Sequence, residues 1–363
     1  MIAPQKSSQE AAVPVARRIA PAVLSSENRQ ARLLLWALCG VVVLAFLASL
    51  LVGPAGLSPP ESLAALFGRG GTDGLGGEAH RLILREIRLP RALLGLLIGA
   101  ALGLSGAALQ GYLRNPLAEP GLIGVSGGAV LGAVVAIHSG LAGSFALALP
   151  LAGLAGGLTA AAAVVLLSGI AGGPLTLILG GVAITSLTGA LTSLALNLSA
   201  NPYAATEMVF WMLGSLTDRS MTHVALAAPF IVPGLIALLA SGRSLDALSL
   251  GEDVAQTLGV RPGRARALVV VGTALSVGAA TAVAGSIGFV GLVVPHILRP
   301  FVGNSPGRLL PVSMLGGAAL VLVADVLVRL MPWLDLKLGV LTALIGAPFF
   351  LWLVVKTRRE IGP

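Results

Sequence analysis

The chain has 363 residues, of which 56% are hydrophobic and only 10% charged, with 48 glycines and a net charge of +8. A soluble exterior takes roughly 25% charged residues, so a chain this long and this poor in charge cannot coat itself against water. Aromatic content is only 4%, which makes the apolar excess Leu, Ala, Val and Gly. Composition assigns the chain to a lipid bilayer.

Charge placement sharpens this. The 87 residues between Glu119 and Glu207 contain no Asp, Glu, Lys or Arg. A spanning helix needs about 20 apolar residues, so this stretch alone holds three spans and their turns. Other charge-free windows run 33–60, 92–113, 220–242, 267–298, 309–324 and 338–355. A membrane barrel would read as segments of about ten residues with alternating polarity, and no such period is present. The fold class is all-α integral membrane.

In chain order, residues 1–32 read as a polar arm, expected to be disordered, with Pro4, Pro14, Pro21 and five basic residues. A cleaved signal peptide is the alternative. The following apolar run, 33–53, exceeds the usual signal core and reads as an anchoring span containing Cys39, the one cysteine. A single thiol makes no internal disulfide and reads as a small buried hydrophobe. The remaining spans are expected at 92–113, 122–138, 148–168, 174–196, 223–241, 266–284, 288–302, 309–327 and 339–355, ten in all, with a tail from 356 to 363. The third and eighth are short and Gly-rich, and either could be partly re-entrant. Gly95, Gly99 and Gly103 recur at every fourth position and so share one helix face. In lipid such small faces let helix backbones approach closely.

Ten spans place both termini on one side. Loops on the cytoplasmic side carry an excess of Lys and Arg. With the termini inside, that side holds 15 of the 23 Lys and Arg, and the outside holds 8. The net positive charge therefore follows topology, and no nucleic-acid partner is expected. Five arginines in 69–91 (Arg69, Arg81, Arg85, Arg88 and Arg91) stand outside against the rule.

Four segments carry more than bland content. Glu86-Ile87-Arg88-Leu89-Pro90-Arg91 opens the second span, with Pro90 suited to a first helical turn. Its arginines read either as snorkelling anchors or as docking points for acidic side chains of an external protein. Asn115-Pro116-Leu117-Ala118-Glu119-Pro120-Gly121-Leu122-Ile123-Gly124 cannot be continuous helix. It is either a tight inner turn or broken backbone lining a cavity. In the loop 242–265, Glu252 and Asp253 suit a helix start and Gly259 its stop. Val254, Ala255 and Leu258 are expected on one face. Acids in the first turn suit an anionic leaflet poorly, so this helix is expected to enter a partner's groove. The string Gly285-Ser286-Ile287-Gly288-Phe289-Val290-Gly291-Leu292-Val293-Val294-Pro295-His296-Ile297-Leu298-Arg299 is also broken. It echoes 115–124 at an opposed depth, hinting at an inverted repeat.

Resident chemistry is missing. No phosphate-binding Gly-x-x-x-x-Gly-Lys-Ser/Thr loop exists, and His80, His138, His223 and His296 are too scattered to hold a metal. Asp325 is the only acid within the expected spans, and Arg329 lies on the same helix face to pair with it. A structural pair is favoured over a proton relay. The chain reads as a conduit without its own energy source.

Taken together, Ile87-Arg88-Leu89-Pro90-Arg91, Arg114-Asn115-Pro116-Leu117-Ala118-Glu119-Pro120-Gly121, Leu250-Gly251-Glu252 with Leu258-Gly259-Val260, and the run 288–299 resemble the permease subunits of ATP-binding-cassette importers for ferric siderophores, heme and cobalamin. Ala324-Asp325 with Arg329 and Gly346-Ala347-Pro348-Phe349-Phe350 extend the likeness over 80–355. The resemblance implies a cobalamin-permease-like bundle of ten spans in a bacterial inner membrane, with both termini cytoplasmic. It also implies a homodimer, two cytoplasmic ATPase subunits carrying ATP and Mg, and a periplasmic substrate-binding protein. This chain itself would be no enzyme and would bind no cofactor or metal. The resemblance further implies binding-protein docking by Arg88, Arg91 and Arg329, and ATPase coupling by Leu250, Gly251, Glu252, Asp253, Val254, Ala255, Leu258 and Gly259. Pathway or gate candidates are Asn115, Pro116, Glu119, Pro120, Gly288, Gly291 and Pro295. A pathway with little charge suits a bulky apolar chelate, which ranks heme first, ferric siderophore second and cobalamin third. The alternative is a stand-alone secondary transporter or channel dependent on Asp325. One departure from the family is Lys337, where it commonly has proline before the last span.

Overall fold

The computed structural model describes residues 12–53, 75–169 and 172–361. Its helices are α1 (Ala12–Leu51), α2 (Leu75–Leu82), α3 (Leu89–Leu113), α4 (Val125–His138), α5 (Ala148–Ser168), α6 (Pro174–Asn197), α7 (Pro202–Met212), α8 (Met221–Ala240), α9 (Gly242–Ser249), α10 (Glu252–Thr257), α11 (Pro262–Ala284), α12 (Val290–Leu298), α13 (Pro306–Leu330) and α14 (Leu338–Ile361). Among the described residues no strand occurs. Eight helical stretches among the described residues are long and apolar enough to cross a membrane, and the shorter Val125–His138 and Val290–Val302 bring the set to ten. Helical backbone begins at Ala12, inside the segment read as an arm. Residues 1–11 and 362–363 lie outside the described residues, as does Arg69.

The bundle is built around α3 and α11, whose residues are buried along almost their whole length. Small residues make this possible. A methyl group on Gly99 would strike the carbonyl of Gly317, and one on Gly103 the carbonyl of Ser313, so α3 and α13 touch backbone to backbone. Gly128, Gly132 and Gly156 bring α4 and α5 together in the same way. Lipid gives no hydrophobic drive between helices, so this close contact is what holds them. The outer faces stay apolar: Leu33, Trp36 and Leu44 on α1, Leu175, Leu179 and Leu191 on α6, and Leu344 and Leu351 on α14 are all exposed. In water a patch of that size would be a liability, whereas against acyl chains it is required.

The second span starts earlier than the apolar pattern indicated. Helix runs from Glu78 to Leu113 without a break, and Pro90 therefore does not open it. A π-helical turn over Ile83–Arg88 precedes the proline, with the N–H of Leu89 donating to the carbonyl of Leu84. Proline removes one N–H and its ring clashes with the carbonyl four residues back. A locally widened turn accommodates that clash without ending the helix.

The third and eighth spans are short helices, each entered through irregular chain. From the end of α3 the chain re-enters along 114–119, makes a 3-10 turn over Pro120–Ile123 and continues as α4. From the opposite end of the bundle, residues 285–289 descend and continue as the nine-residue α12. With the 3-10 turn Arg299–Val302 that follows, it rises only about 22 Å, short of the hydrocarbon thickness of about 30 Å. The two irregular segments run in opposite directions and meet beside α3, where Gly291 sits against Pro120 and the carbonyl of Leu102. The two broken strings thus share one depth, a contact that their separation of some 170 residues hides.

Candidate functional site

Three places concentrate polar groups: the end of the bundle where α3 begins, the junction of the broken spans, and the end carrying α10.

At the first, the C-terminus of α1 arrives with its last carbonyls unpaired, as any helix end does. Arg88 donates through Nη1 to the carbonyls of Leu50 and Leu51 at 2.9 Å each. Arg329 donates through Nη1 to Ser49 at 2.8 Å and Val52 at 2.7 Å, and through Nη2 to Ser49 Oγ at 2.6 Å. Asp325, 1% exposed, pairs with Arg329 at 2.9 Å, as its spacing on the helix predicts, and with Arg91 at 2.9 Å. The Arg91 contact is two-pronged, since Nε also donates to both carboxylate oxygens. Such planar forks are the strong form of the arginine–carboxylate pair.

These contacts correct the picture of arginines held out toward solvent. Arg88 is 3% exposed and Arg329 8%, because the helix end they cap draws both guanidiniums inward. What faces outward is the pocket they border, about 510 Å³, lined by Gly53, Glu86, Arg88, Arg91, Asp218, Arg219 and Arg329. Arg219 was not singled out in the sequence. It sits in the loop before α8 and donates to the carbonyl of Val283. Burial lowers its pKa and neighbouring Asp218 opposes that shift. Four arginines against Glu86, Asp218 and Asp325 leave this place net positive.

At the junction, the Glu119 carboxylate faces the backbone of Phe289, a residue with a left-handed φ of 66°. A methyl group on Gly106 would strike the carbonyl of Gly291. Gln110, 1% exposed, ties the pieces together. Its amide donates to Ala118 O at 3.2 Å and to the carbonyls of Gly291 and Leu292 at 3.4 Å, and its oxygen accepts from Arg299 at 2.6 Å. Sequence reading missed Gln110, although a lone amide in the charge-free window 92–113 was the available signal. The other gate candidates separate. Asn115 closes a turn by accepting from Leu117 N at 2.9 Å, Pro116 is exposed, Pro295 is buried in α12, and Gly288 borders open space.

At the third place, α10 spans Glu252–Thr257 with both acids in its first turn, as their type predicts. Gly251 (φ 120°) and Gly259 (φ 82°) bracket it in backbone conformations that only glycine adopts readily. Ala255 is fully buried against the body, so it does not share a face with Val254 and Leu258. The exposed apolar line is instead Leu250, Val254 and Leu258, at 65%, 44% and 63% exposure. Behind α10 lies a pocket of about 260 Å³, lined by Tyr112, Arg114, Glu252, Gln256 and Arg266 among others. Arg266 secures its rim by donating to the carbonyls of Gly169 and Gly172 at 2.7 and 2.6 Å and to Ser168 Oγ. Lys337 lies at the opposite end. It pairs with Asp335 at 2.9 Å, stands 5.5 Å from the ring centre of Phe210, and its carbonyl accepts from Val340 and Leu341 at the start of α14.

Comparison with known proteins places this geometry. The family model described as the FecCD transport family matches residues 41–356. The hemin transport system permease of Yersinia pestis is 38% identical over 185 residues, 51% of this chain and 55% of that protein. The ferric dicitrate transport system permease of Escherichia coli is 40% identical over 186 residues, 51% and 58% of the two. A cobalamin import permease of Halobacterium salinarum is 41% identical over 179 residues, 49% and 48%. The matched stretch thus spans only about half the length of these curated relatives. A solved chain reported as an inward-facing conformation of a candidate metal-chelate type ABC transporter superposes with a TM-score of 0.77 at 34% identity, covering 89% of this chain and 98% of that one.

Proposed function

The chain belongs to the FecCD transport family, and on that premise we propose that it is the membrane permease subunit of an ATP-driven importer of a metal chelate or cobalamin. Two copies enclose the pathway, two ATPase subunits drive it from the cytoplasm, and a periplasmic binding protein delivers the substrate. The membrane is the bacterial inner membrane, and both termini are cytoplasmic.

The observation that carries this reading is the exposure of Leu250, Val254 and Leu258 on and beside a short helix whose first turn is acidic. Val254 and Leu258, one turn apart and both exposed, suit a groove in a protein, and the first-turn acids suit an anionic leaflet poorly. The ATPase is the partner that a conduit without its own phosphate-binding loop needs. At the opposite end, acidic side chains of the binding protein enter the pocket bordered by Arg88, Arg91, Arg219 and Arg329. The junction of Glu119, Pro120, Phe289 and Gly291 is the gate, since irregular backbone is easier to rearrange than a continuous helix. Transport is alternating access, in which ATP and the loaded binding protein favour different states. A stand-alone transporter working through Asp325 is less well supported, because two arginines already hold that carboxylate.

For substrate, heme ranks first, ferric siderophore second and cobalamin third, on the scarcity of charge along the spans. Proteoliposomes holding the permease and its ATPase, supplied in turn with each loaded binding protein, test this. Uptake is expected to need ATP and to favour heme. Uptake of a siderophore but not heme would overturn the ranking, and uptake without the ATPase would overturn the class.

A further inference from the structure

The loop leading into α10 is fastened to the bundle at two points. Asp246, on α9, accepts through Oδ1 from Ser305 Oγ at 3.0 Å and from the backbone N–H of Gly307 at 2.8 Å. Both donors lie at the N-terminus of α13, where free N–H groups and the helix dipole favour a carboxylate. The fit is close, for a methyl group on Gly307 would strike the Asp246 carboxylate. Two residues further along α9, the carbonyl of Leu248 accepts from Arg114, the left-handed residue that ends α3. The helix that continues into α10 therefore grips α3 and α13 together.

Those same two helices have no side-chain layer between them at Gly99, Gly103 and Gly317. At their far ends Arg91 of α3 and Asp325 of α13 are joined at 2.9 Å, beside the arginine pocket. A pair locked at both ends and in backbone contact between cannot slide internally, so a displacement imposed at one end reappears at the other.

We propose that α3 and α13 form a strut carrying movement of α10 to the arginine pocket, and that Asp246 is the positioning residue fastening the strut to α10. This rests on the permease reading above. Coupling between two sites is reciprocal, so the fastening serves binding protein and nucleotide alike.

The test uses the full transporter, permease plus ATPase, in nanodiscs. Cys39 is replaced by serine and a nitroxide is placed on Thr217→Cys, an exposed position lining the arginine pocket. Trapping with ATP and vanadate is expected to change the nitroxide mobility in the parent. Asp246→Ala is expected to retain the ATPase and its basal hydrolysis but to lose the mobility change. Stimulation of hydrolysis by the loaded binding protein should fall by about 5-fold or more. Asp246→Asn keeps the Oδ1 acceptor and should respond like the parent, whereas Gly307→Ala displaces the carboxylate and should behave like the alanine variant. If Asp246→Ala fails to accumulate, the contrast between Asp246→Asn and Gly307→Ala carries the test. A mobility change that persists in Asp246→Ala and Gly307→Ala, or is missing in the parent, overturns the strut. Failure of the permease to hold its ATPase at all overturns the permease reading instead, and the strut with it.

Discussion

Asp325→Asn removes one buried charge and almost nothing else. The carboxylate is 1% exposed, and among the described residues it is the one acidic partner that Arg329 and Arg91 share at ion-pair distance, 2.9 Å from each. Without it Arg329 keeps the α1 carbonyls and Ser49 Oγ, but its positive charge loses compensation in a site that water scarcely reaches. Removing one partner of a buried pair typically costs about 3–5 kcal/mol, whereas Arg91, with its side chain 12% exposed, can turn toward the pocket and recover part of its solvation. For a chain of 363 residues that cost lowers the melting temperature by roughly 4–7 °C, readable by size-exclusion melting in detergent. Asp325→Leu combined with Arg329→Leu also strands the α1 carbonyls that Arg329 caps and leaves Arg91 without the carboxylate, so it should melt no higher than Asp325→Asn. ATP-driven uptake per folded molecule should survive in Asp325→Asn. The reasoning is refuted if Asp325→Asn melts with the parent, or if the double replacement restores the parent's melting temperature. An unaltered melting point with lost transport would instead give the carboxylate a direct part in the transport cycle.

Three further outcomes are expected. Leu258→Glu leaves the fold intact, since the side chain is 63% exposed, but removes an apolar contact worth about 1.5–3 kcal/mol. Co-purification of the ATPase should weaken by about 10-fold or more, and unchanged retention would count against the α10 assignment. Gln110→Leu strands Arg299 and the carbonyls of Ala118, Gly291 and Leu292, at about 1–3 kcal/mol for the groups left unsatisfied. A lowered melting temperature is the readout, and a stabilised variant would refute the hub. Gly106→Ala sets a methyl group against the Gly291 carbonyl, so folded permease should drop sharply in membrane extracts, while Gly40→Ala, with open space around it, should not change.

Much of this was legible in the residues. The charge-free windows located all ten spans, because acyl chains admit only apolar side chains and each span must therefore be written out locally. The acids of α10 and Gly259 marked that helix for the same reason, since caps and dipoles act within one turn. The Asp325 and Arg329 pair followed from helical spacing. Arg91 did not, as it lies 234 residues away and no local period links it to Asp325. Ala255 was assigned to the wrong face because a six-residue helix offers too few positions to fix its rotation, and contact with the body decided it. The π turn before Pro90 was likewise invisible, because hydropathy does not report hydrogen-bond register.

The sequence by itself determined that the chain lives in lipid, how many times it crosses, and which strings resist helix. It did so because transfer from water to hydrocarbon is a cost each residue carries alone. Only the tertiary structure decided that the two broken strings meet at Glu119 and Phe289. It also decided that Gln110 bridges them, that Arg88 and Arg329 turn inward to cap α1, and that Asp246 holds the end of α13. Those are pairings between donors and acceptors far apart in the chain, and they exist only once glycine faces have let the helix backbones touch.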